Sequence, residues 1–165
     1  MDFTNFKLEK DCLSVVVLGP GYGESILIKA PDSDWLVFDS CKAGGVNSCT
    51  QFLDFVKGSC EGLIVSHPHV DHISGADEII DRYNPRIVGI SSPFLTSGYL
   101  SELREGVTRT AIARIQSFWD ENAGAKWEIK AGDSNQFSSV NVSILLPSAA
   151  TIAEYKKKSS LQKSR

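Results

Sequence analysis

No apolar run in this chain of 165 residues approaches the roughly 20 needed to cross a bilayer, so no membrane-embedded role is expected. The opening MDFTNFKLEKD mixes acids and bases and has neither the continuous apolar core nor the small-residue cleavage site of a secretory signal; a cytoplasmic location is the expectation. Cys12, Cys41, Cys49 and Cys60 stand far apart with no C-x-x-C pair. That spacing argues against a zinc ribbon or a redox dithiol and for reduced, partly buried thiols. Basic charge is thin over most of the chain: five of the 17 Lys and Arg residues lie in the last ten, leaving 12 bases against 20 acids before Lys156, a body charge of −8. An acidic body with a short basic tail is not the footprint of a general nucleic-acid binder, and the tail reads as a solvated terminus. Histidine is scarce as well, with three residues in all and none after His72.

What remains is enough for one domain with a core, taken as residues 12–147 followed by the basic tail at 155–165. Cys12 to Leu18, Ser25 to Lys29 and Asp34 to Asp39 are short β-branched or apolar runs with tight connections, the pattern of an antiparallel meander. Val46 to Val56 then places Val46, Cys49, Phe52, Leu53 and Val56 at helical spacing, with Gly58 as a stop. Glu61 to Ser66 reads as a strand, Gly75 to Tyr83 as a helix and Arg86 to Ile90 as a strand, and this alternation marks an α/β fold. Leu103, Val107, Ala111, Ile115 and Phe118 form one apolar stripe on a long amphipathic helix from Ser101 to Asn122, expected to face the sheet. Trp127 to Lys130 and Val140 to Leu146 are two further strands, with Asp133 in a turn between them and Pro147 as the stop. Gly19, Gly21 and Gly23 do not fit G-x-G-x-x-G and precede a strand, so a tight turn is expected there and not a phosphate loop.

All three histidines fall within Ser66-His67-Pro68-His69-Val70-Asp71-His72, directly after an apolar strand and before a helix. Imidazole nitrogen interleaved with carboxylate oxygen is the donor set of catalytic zinc sites. His67 and His69 alternate along an extended turn and would share one ion. Asp71 and His72 follow where the chain bends toward the helix and would hold or orient a second, with hydroxide generated between two metals as the nucleophile. The ligand types accept zinc, and manganese or iron as well. Asp71 is also the candidate catalytic carboxylate.

The run His67-x-His69-x-Asp71-His72 resembles the signature of the metallo-β-lactamase-fold hydrolases. Gly19-Pro20-Gly21-Tyr22-Gly23-Glu24-Ser25, Phe38-Asp39-Ser40 and Ile73-Ser74-Gly75 are similar to the corresponding flanks, and Leu18 to Ile28 with Ser143 to Pro147 most resemble the metallo-hydrolase domain of bacterial DNA-uptake (competence) proteins. The resemblance implies an α/β architecture that is the amino-terminal half of the four-layer αβ/βα sandwich, a mixed sheet with helices on one face. It also implies that Asp39 supports the metal turn from behind, fixing a histidine tautomer. On the residues alone, Asp39 reads equally well as the cap of the Gly44-Gly45 turn.

A complete dinuclear site in that family needs a bridging carboxylate and further ligands later in the chain, and no histidine follows His72. A half sandwich would also leave one sheet face bare. At about 800 Å² and about 25 cal/mol/Å², on the order of 20 kcal/mol of burial would be missing. The expectation is an incomplete domain, or a face covered by a second domain, a partner chain, another copy or a rearranged segment.

The functional expectation is a metal-dependent hydrolase, tilted toward phosphodiester or nucleic-acid substrates. The alternatives are a small-metabolite thioester or lactam hydrolase, and a catalytically incomplete metal-binding interaction module or split-enzyme half.

Overall fold

The computed structural model describes residues 2–21, 23–91 and 105–145. The start of the expected long helix at 101–104, the stop at Pro147 and the basic tail lie outside these residues.

Strands β1 (Ser14–Gly21), β2 (Gly23–Lys29) and β3 (Trp35–Phe38) form the antiparallel meander, with Val15 opposite Ile28 and Ile28 opposite Leu36. β1 does not stop at Leu18 as expected. Its pairing slips between Leu18 and Gly21 and resumes at Gly21, whose φ of 135° is open to glycine. Two short strands follow, β4 (Lys42–Ala43) and β5 (Val46–Asn47), paired across Gly44 and Gly45 at φ 57° and 80°. Positive φ at both central residues is the signature of a two-residue hairpin turn. Val46 is therefore in a strand, and helix α1 (Ser48–Val56) begins only after Asn47, whose side chain caps it by accepting from the Cys49 and Thr50 amides.

Beyond α1 the sheet grows by parallel pairing. β6 (Cys60–Val65) lies beside β3, β7 (Ile87–Ser91) beside β6, and β8 (Lys126–Ile129) beside β7, giving the order β1-β2-β3-β6-β7-β8. The connections carry α2 (Val70–Ile73), α3 (Ala76–Tyr83) and α4 (Val107–Glu121). Ala111, Ile112, Ile115, Phe118 and Trp119 of α4 are buried, and the Trp119 indole N–H donates to the Val88 carbonyl at 3.0 Å. Val107 is half exposed, so the buried stripe starts one turn later than its spacing suggests. Residue pairs facing each other across the strands share a side. Leu27, Val37, Leu63 and Val88 form the row that meets the helices, and this is the main core.

The opposite face is only partly bare. A hairpin of β9 (Ser134–Phe137) and β10 (Val140–Ser143) folds over it, closing a second cluster of Leu36, Ile64, Ile87, Trp127, Ile129 and Phe137. Gly62 makes room for this: a Cβ there would lie 2.5 Å from the Phe137 ring. Among the described residues, Val15 and Val17 on the β1 part of this face are more than half exposed. A segment of the chain itself, the β9–β10 hairpin, thus covers this face over β3, β6, β7 and β8.

Candidate metal centre

Parallel pairing of β3 with β6 brings the carboxyl ends of both strands to one edge of the sheet, where α/β proteins place their ligands. The Asp39 amide donates to the Ile64 carbonyl at 2.9 Å, so the residue after β3 is held beside the end of β6. Asp39 itself sits at φ 58°, a left-handed position that aspartate tolerates better than most residues. Its carboxylate accepts three hydrogen bonds: from the Ser66 amide at 2.7 Å, from Ser66 Oγ at 2.7 Å and from His72 Nδ1 at 2.8 Å. It is 8 % exposed, so these bonds face little competition from water. The Gly44-Gly45 turn is closed by the β4–β5 pairing, and the carboxylate is directed to the histidine turn.

Backbone bonds fasten the two loops to each other. Ser40 donates to the His72 carbonyl and Gly75 to the Ser40 carbonyl, both at 2.8 Å, while the Lys42 amide donates to Ser74 Oγ at 2.7 Å. Two glycines permit the close approach. A Cβ on Gly23 would lie 2.5 Å from the Asp71 carbonyl oxygen, and one on Gly75 would lie 2.4 Å from Asn47 Nδ2.

On this frame the three imidazoles gather. The His67 ring centroid lies 4.5 Å from that of His69 and 4.0 Å from that of His72. Asp71, nearly half exposed in α2, places Oδ2 3.5 Å from His72 Nε2. His67 is half-buried, while His69 and Asp71 are open to solvent. Burial, then the neighbouring His72 and His69 rings, push the His67 pKa below the ordinary histidine value, which favours the neutral imidazole, the form that coordinates metal. All four motif side chains and Asp39 thus lie in one place.

A model of the metallo-beta-lactamase superfamily matches residues 18–129, from the end of β1 through β8 and including Asp39 and the whole histidine turn. The chain belongs to this superfamily. Its members typically bind divalent metal ions, often zinc, and membership suggests metal-dependent hydrolysis. No curated protein matches the chain. The mixed six-stranded sheet with its few helices agrees with part of the metallo-beta-lactamase fold.

The donor chemistry fits the superfamily's metal, since three imidazoles and a carboxylate share one edge of the sheet and the Nδ1 atoms of His67 and His72 already have partners. As the side chains stand, no three His, Cys, Asp or Glu groups among the described residues are set to share one ion. Sequence reading did not single out Ser66, Gly23 or Gly75 for the roles seen here. Ser66 carried no local signal beyond preceding His67, and the two glycines matter through neighbours distant in sequence.

Among the described residues, no helix is long and apolar enough to cross a membrane.

Proposed function

We propose that the chain is a metal-dependent hydrolase whose ion or ions, zinc in the first instance, are held by His67, His69, Asp71 and His72. The observation that carries the reading is that every histidine of the chain sits at the carboxyl end of β6, against a buried carboxylate bonded to one of them. A divalent ion there supplies Lewis acidity and makes water a nucleophile near neutral pH. With Nδ1 of His67 and His72 engaged, Nε2 is the nitrogen each ring has left for coordination. His67 and His69 form the first pair of ligands. Asp71 and His72 hold or orient the second ion, and Asp71, the exposed carboxylate of the group, orients the attacking water.

A phosphodiester, including nucleic acid, is the substrate class we favour, supported by the resemblance of Leu18 to Ile28 and Ser143 to Pro147 to DNA-uptake hydrolases. A rival within enzymes is hydrolysis of small thioester or lactam substrates, for which the body charge of −8 is at least as suitable. A third reading is a catalytically idle metal-binding module or one half of a split enzyme, which the turnover panel below separates from the other two. The exposed Val15 and Val17 on β1 are, in our reading, covered by a second domain, a partner chain or another copy.

Elemental analysis of purified protein beside a His67→Ala/His69→Ala double variant tests the centre. Metal is expected to be retained by the first and lost by the second, and equal contents would overturn the proposal. Turnover of bis-p-nitrophenyl phosphate, single-stranded DNA, an acyl-glutathione and a cephalosporin then separates the substrate classes. Full metal occupancy with no turnover would leave the idle module.

A further inference from the structure

We infer that Ser66 is a positioning residue that fixes the tautomer of His67, passing the influence of Asp39 to a second imidazole. Ser66 Oγ lies 2.7 Å from Asp39 Oδ2 and 3.0 Å from His67 Nδ1. The hydroxyl has a single proton, and a carboxylate can only accept. Once Ser66 donates that proton to Asp39, its oxygen is left to the ring as an acceptor. The contact with His67 is then a hydrogen bond only if Nδ1 carries the proton, which leaves the lone pair on Nε2. Asp39 Oδ2 also takes the Nδ1 proton of His72, at 2.8 Å. One carboxylate oxygen therefore sets two rings in the same tautomer, one directly and one through Ser66. The Ser66 amide bond to Asp39 Oδ1 at 2.7 Å holds the hydroxyl in register and survives loss of the side chain, so removing Oγ isolates the relay from the backbone frame.

The consequence for metal rests on the hydrolase reading; the tautomer itself does not. Nitrogen-15 NMR of the imidazoles in metal-free protein, at a pH where they are neutral, reads it directly. In the unaltered chain His67 and His72 should both carry the proton on Nδ1. In Ser66→Ala, His67 should move toward the Nε2–H form while His72 stays as it was, and affinity for zinc should fall about 10- to 100-fold, as for other residues that orient a ligand. Ser66→Thr keeps the hydroxyl and should restore both. An unchanged His67 tautomer in Ser66→Ala would overturn the inference, and so would an equal shift of His72, which would mean general loosening. If the tautomers behave as expected and the unaltered chain binds no zinc, the metal reading fails and the relay stands.

Discussion

Gly75 offers a test of how tightly the histidine turn is fastened. A Cβ there would lie 2.4 Å from Asn47 Nδ2, 2.5 Å from Ser40 Oγ and 2.8 Å from Asn47 Cγ. Its φ of −108° suits any residue, so Gly75→Ala introduces a steric conflict with no backbone strain. Asn47 cannot move away cheaply, because its Oδ1 caps α1 and its Nδ2 donates to the Gly75 carbonyl at 2.9 Å. Loss of the cap is worth about 1 kcal/mol and loss of the hydrogen bond about as much again. Forcing a methyl into a filled site typically costs about 1–3 kcal/mol. Some of these losses substitute for one another, so a destabilisation of about 3 kcal/mol is expected, read as a lowered urea midpoint at constant slope. Gly124→Ala is the matched control, since nothing lies within 4 Å of its Cβ position. Its stability should stay within about 0.5 kcal/mol of the unaltered chain. A Gly75→Ala protein as stable as the Gly124→Ala control would refute the account of the loop junction.

Three further outcomes are expected. Asp39→Asn suits the left-handed backbone and can still accept from the Ser66 amide, but its amide nitrogen would donate where Oδ2 now accepts from His72, forcing the proton onto Nε2. Zinc affinity in a chelator competition should therefore fall about 10- to 100-fold, and unchanged affinity would contradict the assignment. Burial holds the Cys49 thiol at a pKa of about 11 and pushes that of Cys60 higher still, Cys41 is also buried, and Cys12 is exposed. A disulfide exchange reagent at pH 8 should titrate one of the four thiols in the native protein and all four after denaturation; two fast native thiols would contradict the packing. Burial and the bond to Asp54 at 2.7 Å raise the Tyr83 pKa, so its contribution is present below the unfolded phenol value near 10 and is lost as the pH rises past it. The stability deficit of Tyr83→Phe, about 1 kcal/mol at most at this partly exposed site, should shrink between pH 7 and 10.5, and a constant deficit would argue against it.

Local pattern carried much of the architecture. The meander, the β6-α3-β7 alternation and the body of α4 could be read from β-branched runs and helical spacing, because each buries a regular stripe. The short hairpin before α1 was not recognised, since Val46 also fits the helical spacing of Cys49, Phe52 and Leu53, and only the paired left-handed glycines settle the matter. β9 escaped because its sequence Ser-Asn-Gln-Phe has a single apolar residue, and Phe137 is buried only because Gly62 leaves a notch for it in a strand far away in sequence. At the site, the clustering of scarce histidines was visible at once. The orientation of the Asp39 carboxylate was not, because it depends on β3 and β6 lying side by side, a long-range pairing that no local window contains.

The clasp between residues 39–42 and 72–75 includes two wholly main-chain bonds, from the Ser40 amide to the His72 carbonyl and from the Gly75 amide to the Ser40 carbonyl. Such bonds are indifferent to which donors project from positions 67, 69 and 71. The scaffold can thus keep its shape while those positions are exchanged, and on the hydrolase reading proposed above metal preference becomes a trait open to redesign by three substitutions without rebuilding the loops that carry them.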